Sequence, residues 1–158
     1  MSARTADVQF ADAGGRRIAY HVFGDGPPLL LLHGSGPGVT GLENFAGNID
    51  AFSPHFKTYV LDLPGYGQSD PAPGIPDAAA TDSVVSFMDA LKIESACIVG
   101  NSFGGIVGAR LAAFHPARVQ KLVTIGGFGF GIFCAFPNEG INLLMEFAEN
   151  PTRDRITQ

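Results

Sequence analysis

The feature that most narrows what this chain can fold into is Gly100-Asn101-Ser102-Phe103-Gly104, set between the apolar run 96–99 and a helix-like stretch that begins near Phe103. A serine framed by glycines at that junction marks a sharp strand-to-helix turn, with the glycines where a Cβ would collide with neighbouring backbone. The rest of the chain supports that context. Short apolar runs alternate with helix-like segments across Gly- and Pro-rich turns, the pattern of a largely parallel α/β sheet.

Segments 8–11 and 17–23, broken by Gly14-Gly15, read as an amino-terminal hairpin of period two. Leu29-Leu30-Leu31-Leu32, between Pro28 and Gly34, reads as a strand buried on both faces. Leu42, Phe45, Ile49 and Phe52 share one face of a helix over 42–52, and 58–61 follows as a strand. The pattern then predicts a helix over 81–91, a strand over 96–99, a helix over 103–115 and a sixth strand over 119–125. After Gly126-Gly127 the alternation stops, and 142–148 reads as an amphipathic segment of an inserted subdomain. The expected division is an incomplete core over 1–127 and the beginning of a cap over 128–158.

Composition removes several classes of function. With 158 residues, 46% hydrophobic and 16% charged, the chain is globular and long enough for a real core. A net charge of −5 without a Lys/Arg cluster argues against a nucleic-acid partner. No apolar run near the start approaches a bilayer span, and 1–5 lacks a signal-peptide core, so a soluble cytoplasmic protein is expected. Cys97 and Cys134 have no metal-ligand spacing, and neither a metal nor an organic cofactor is implied.

Ser102 is the expected nucleophile, its hydroxyl raised above the sheet by the strained turn; the competing assignment is a serine that merely caps a helix. Addition to a carbonyl needs two backbone N–H donors aimed at the developing oxyanion. Phe103, directly after the nucleophile, is expected to supply one. The Ser35 N–H, in His33-Gly34-Ser35-Gly36-Pro37-Gly38, is assigned as the other. That loop could instead cradle a phosphate, but no Gly-Lys-Ser/Thr follows it, nor the spacing of a dinucleotide site. His33, at the strand end, is expected to buttress the loop rather than to act as the base.

Together these motifs, with Asp62-Leu63-Pro64-Gly65-Tyr66-Gly67-Gln68-Ser69-Asp70 and His115-Pro116-Ala117-Arg118-Val119, resemble the α/β-hydrolase fold family over almost the whole chain. Within it, His-Gly-Ser-Gly-Pro-Gly followed by Asn44, together with Gly-Asn-Ser-Phe-Gly-Gly, resembles the meta-cleavage-product hydrolases. Those enzymes break a carbon–carbon bond in ring-opened 2-hydroxy-6-oxo-dienoates during aromatic catabolism. The resemblance implies that Asn44 and Asn101 bind substrate or organise the site, and that Ser35 and Phe103 carry the oxyanion donors. It also implies a helical cap from about Phe128, whose substrate-binding arginine lies beyond Gln158, so Arg153 and Arg155 do not inherit that role.

In this family the triad runs Ser, Asp or Glu, then His. The one downstream histidine, His115, stands about 18 Å along the elbow helix from Ser102 and cannot serve. Asp154, Glu139, Glu146 and Glu149 fall in the expected cap. Asp62 ends a core strand and is expected to organise its loop, while His21 and His55 belong to the hairpin and a helix–strand connection. The chain is therefore read as part of a longer hydrolase, inactive and poorly soluble alone. A carboxylesterase or lipase-like hydrolase and a non-catalytic binding protein are the alternatives, and homo-oligomerisation of the intact parent stays open.

Overall fold

The computed structural model describes residues 7–74 and 76–126, which lie in the first of the chain's two units, Met1–Phe128. Strands β1 (Gln9–Asp12) and β2 (Arg17–Phe23) form the expected hairpin. Gly14 and Gly15 turn it at φ of 69° and 84°, a region that side-chain-bearing residues rarely enter. Then come β3 (Pro28–Leu32), α1 (Gly41–Phe52), β4 (Lys57–Leu61), α2 (Pro76–Ala90), β5 (Ala96–Asn101), α3 (Phe103–Phe114) and β6 (Val119–Ile125). A short 3₁₀ turn, Pro116–Arg118, leads into β6.

The helix expected over 81–91 starts five residues earlier, at Pro76. The added residues, Pro76-Asp77-Ala78-Ala79-Ala80, carry no large apolar side chain and so give no helical period. Their helix-forming character lies in a proline, which suits the first turn because its missing N–H has no partner to lose there, in Asp77 facing the positive helix end, and in alanine propensity. The boundaries of α1 and β4 move by a single residue, and β5 runs two residues further, to Asn101.

The six strands form one sheet in the order β1-β2-β4-β3-β5-β6. The β1–β2 and β2–β4 pairs are antiparallel, whereas β4–β3, β3–β5 and β5–β6 are parallel. After β3 the chain crosses to β4 on one side, then returns past β3 to place β5 on the other. Crossovers leaving in opposite directions open a crevice at the carboxyl ends of β3 and β5, where α/β sheets hold their ligands.

The leucine run of β3 is buried on both faces. Leu30 and Leu32 pack with Val84, Phe87 and Met88 of α2 and with Val107 and Leu111 of α3. Leu29 and Leu31 turn the other way, toward Phe45 and Ile49 of α1. Each fully buried leucine contributes about 2 kcal/mol of transfer free energy, so the run anchors the sheet from which the site projects. Thr40 caps α1: its hydroxyl accepts from Glu43 N at 3.2 Å and donates to the Glu43 carboxylate at 3.3 Å.

Candidate active site

Ser102 sits where β5 ends and α3 begins, at φ 47° and ψ −110°. For a residue with a Cβ this backbone costs about 1–3 kcal/mol, and the surrounding bonds enforce it. The Ser102 N–H donates to Ile125 O of β6 at 2.8 Å, and its carbonyl accepts from Gly105 N at 2.9 Å and Ile106 N at 3.2 Å. Gly104 N donates to His33 O at 3.0 Å, which ties the elbow to the end of β3. A Cβ on Gly100 would strike the Gly104 backbone, and one on Gly104 would strike the Leu32 carbonyl. Both glycines are thus required by close approach, as the motif implied. The Ser102 side chain makes no capping hydrogen bond, so its hydroxyl is not spent on the helix. The amino end of α3, with its partial positive charge, opens at the same point.

The expected oxyanion loop leaves β3 beside the elbow. A Cβ built on Gly34 would lie a tight 3.3 Å from Ser102 Cβ, so the absence of a side chain here lets the backbone pass close to the serine. The Gly34 N–H donates to Asn44 Oδ1 at 3.0 Å, and Asn101 Nδ2 donates to the same oxygen at 3.2 Å. Asn44, from the first turn of α1, thereby joins this loop to the residue before Ser102. Both partners are donors, which fixes Asn44 with its oxygen toward them. Among the described residues neither the Ser35 N–H nor the Phe103 N–H has a hydrogen-bond acceptor. The five residues singled out for this site therefore lie at the carboxyl ends of β3 and β5 and in the first turns of α1 and α3.

His33 buttresses the loop, as expected. It is fully buried, Leu63 N–H donates to its Nε2 at 2.9 Å, and its Nδ1 lies 2.7 Å from Gly34 O. Burial pushes its pKa below the usual histidine value, against the opposing pull of the Gly34 carbonyl and the Asp62 charge. The Tyr66 ring stands edge-on to His33 at 4.9 Å and lies 6.5 Å from the Phe103 ring. Tyr66 had no period or motif role to single it out, beyond lying in the Gly-Tyr-Gly turn.

Asp62 organises its loop. It is 5% exposed, and its carboxylate accepts from Gly41 N at 2.8 Å and Gln68 N at 3.1 Å, so it also holds the amino end of α1. Ser69 Oγ donates to Asp62 O at 2.6 Å and accepts from Ala19 N at 2.8 Å. Asp70 binds Arg17 through its backbone N–H at 2.9 Å and its guanidinium at 3.3 Å, and these contacts lower the Asp70 pKa. The Gly-x-Gly-x-Ser-Asp run is thus a clasp between β4 and β2, a role its turn-rich composition signalled only as a loop. His115 follows α3 at the end remote from Ser102, which excludes it as a base for this serine. Glu139, Glu146, Glu149, Asp154, Arg153, Arg155 and the cap expected from Phe128 lie outside the described residues.

No group of three or more metal-ligating side chains occurs among the described residues. None of their helices is long and apolar enough to cross a membrane.

A mixed sheet with a switch-point crevice, a serine elbow and an adjoining glycine loop are the features of an α/β-hydrolase fold, and the chain belongs to the alpha/beta hydrolase fold family, whose model matches residues 27–151. Among curated relatives, the 2-hydroxy-6-oxononadienedioate/2-hydroxy-6-oxononatrienedioate hydrolase of Burkholderia vietnamiensis is 39% identical over 146 residues, 89% of this chain and 51% of that one. The 2-hydroxy-6-oxo-6-phenylhexa-2,4-dienoate hydrolase of Comamonas testosteroni is 33% identical over 99% of this chain and 57% of its own length. Among solved structures, a mutant meta-cleavage product hydrolase from Pseudomonas fluorescens IP01 complexed with acetates superposes with a TM-score of 0.79 at 32% identity, covering 93% of this chain and 53% of that chain. The chain therefore spans about half the length of the relatives it matches.

Proposed function

We propose that the protein carrying this chain hydrolyses the carbon–carbon bond of a ring-opened 2-hydroxy-6-oxo-dienoate, with Ser102 as its nucleophile. The observation that carries the proposal is the elbow itself: a serine held at positive φ, its hydroxyl free of capping, beside two backbone N–H groups without acceptors among the described residues. The substrate class comes from the relatives' names, and the Asn44–Asn101 pair beside Ser102 agrees with the resemblance that implied it.

In this mechanism the Ser102 hydroxyl adds to the 6-oxo carbonyl as its proton passes to a histidine paired with an acidic residue, both supplied by sequence outside the described residues. The carbonyl oxygen becomes an oxyanion, held by the N–H groups of Ser35 and Phe103 and by the end of α3. With the 2-hydroxyl proton first moved to C5, the 2-oxo group receives the electron pair as the C5–C6 bond breaks; the dienolate so released takes up a proton on its 2-oxygen, and an acyl group stays on Ser102. Water then adds to that acyl group and frees the acid. Asn101 and Asn44 are assigned to the substrate-binding wall. We place this work in the cytoplasm, on a small molecule rather than nucleic acid, in keeping with the net charge of −5 and the free thiol of Cys97.

The test is turnover of a 2-hydroxy-6-oxo-dienoate by the protein encoded by the whole gene, followed by loss of the dienoate chromophore, beside its Ser102→Ala form. Turnover lost in the variant by a factor of about 10³ or more is expected, as for removal of a catalytic nucleophile. Hydrolysis of aryl esters with dienoates untouched would replace the substrate assignment, and an unimpaired Ser102→Ala form would remove the nucleophile.

A further inference from the structure

Two consecutive peptide groups connect His33 to Ser35, and three of their four polar atoms are committed. In the first, the His33 carbonyl accepts from Gly104 N at 3.0 Å and the Gly34 N–H donates to Asn44 Oδ1 at 3.0 Å. In the second, the Gly34 carbonyl lies 2.7 Å from His33 Nδ1. The fourth group is the Ser35 N–H, which has no acceptor among the described residues.

The ring that meets the Gly34 carbonyl is itself held in one tautomer. Leu63 N–H donates to His33 Nε2 at 2.9 Å, so the lone pair is on Nε2 and the proton on Nδ1, where the carbonyl can accept it. Burial works in the same direction by favouring the neutral ring.

We infer that His33 is a positioning residue for the oxyanion hole: its Nδ1–H, by fixing the Gly34 carbonyl, aims the Ser35 N–H through the rigid Gly34–Ser35 peptide. The described backbone contains no cis bond. In a trans peptide the C=O and N–H point in opposite directions, and a twist of about 12° already costs about 1 kcal/mol. An anchor on the carbonyl therefore directs the N–H on its far side, away from the ring.

The residue between them explains the need. Glycine suits position 34, since a Cβ there would lie a tight 3.3 Å from Ser102 Cβ and 3.5 Å from Asn101 Nδ2. Glycine has the widest freedom in φ and ψ, so by itself it would leave the next N–H free to swing. His33 and Asn44 restore the restraint that closeness to the serine removes. The inference rests on Ser35 as the oxyanion donor, and it holds for any carbonyl addition at Ser102, whether to a dienoate or to an ester.

Imidazole ¹⁵N shifts of the histidine-labelled chain should show His33 protonated on Nδ1 and bare on Nε2 at neutral pH. The opposite tautomer overturns the inference without any variant. Two replacements then separate the two ring bonds. His33→Asn sets an amide nitrogen near the place of Nδ1 and retains a donor for the Gly34 carbonyl, whereas His33→Gln sets an oxygen near the place of Nε2 and retains an acceptor for Leu63 N–H. The Gly34 ¹³C′ and Ser35 amide shifts should stay at wild-type values in His33→Asn and move in His33→Gln, at matched denaturant midpoints. Equal displacement in the two variants, or none in His33→Gln, overturns the inference. Dienoate turnover that fails while the tautomer and shifts behave as expected would remove the proposed substrate and leave His33 in this role.

Discussion

Asp62 and His33 are both buried polar side chains within the loops around Ser102, and both are satisfied by backbone groups rather than by other side chains. Removing such an acceptor leaves donors unpaired, a loss larger than the net value of the bond itself. Asp62→Ala should therefore destabilise the fold by roughly 3 kcal/mol, since two bonds to a charged group are lost, and urea denaturation will measure it. For His33 the sign follows from its lowered pKa. Between that value and the unfolded value near 6.5, the unfolded chain binds more protons, so stability rises with pH. The His33 contribution is complete above about pH 6.5 and is lost as pH falls through the folded pKa. Denaturant midpoints between pH 5 and 8 should show this slope, and His33→Asn should flatten it. The serine at the elbow and the buttressing histidine are legible in the sequence as motif residues. The clasp of Ser69 and Asp70 onto β2 was not, because its partners, Ala19 and Arg17, are some 50 positions away and joined only by the fold.

The elbow is a junction of elements, and its glycines differ in what they could tolerate. At Gly104 a side chain would meet the backbone of β3, which cannot move without displacing the sheet, whereas at Gly108 it would meet Leu122 Cδ1 at 2.8 Å and Ile98 Cγ2 at 3.3 Å. Side-chain ends can rotate aside. Gly104→Ala should accordingly cost about 3 kcal/mol or prevent folding, and Gly108→Ala about 1 kcal/mol, as thermal melts of the two variants will show. Similar losses in both would mean that α3 shifts bodily to relieve the contact. Strands were read accurately because each is a short apolar run with turn residues at its ends. The start of α2 was missed because Ala78-Ala79-Ala80 carries helix propensity without periodicity. The 3₁₀ turn at Pro116–Arg118 was likewise too short to carry a period.

At the scale of the molecule, β6 pairs only with β5 among the described strands, and Val123 and Ile125 stand 54% and 50% exposed on one of its faces. Phe114, at the end of α3, is 65% exposed, with Arg110 over its ring at 4.7 Å. An open edge strand with apolar residues is a template for association. Val123→Lys with Ile125→Lys should reduce self-association of the 158-residue chain in analytical ultracentrifugation, with a change in unfolding free energy of about 0.5 kcal/mol or less. An unchanged sedimentation profile would show that this edge does not drive association. The same strand bears on how the site comes into being. The Ser102 N–H is held by the Ile125 carbonyl, and the Gly104 N–H by the carbonyl of His33, so the elbow depends on chain from both sides of itself. On a ribosome, where segments emerge in order, Ser102 has been synthesised well before the strand that shapes its turn has appeared. Chains halted short of Ile125 would carry the serine without its geometry, so the turn takes its shape only once β6 has been made.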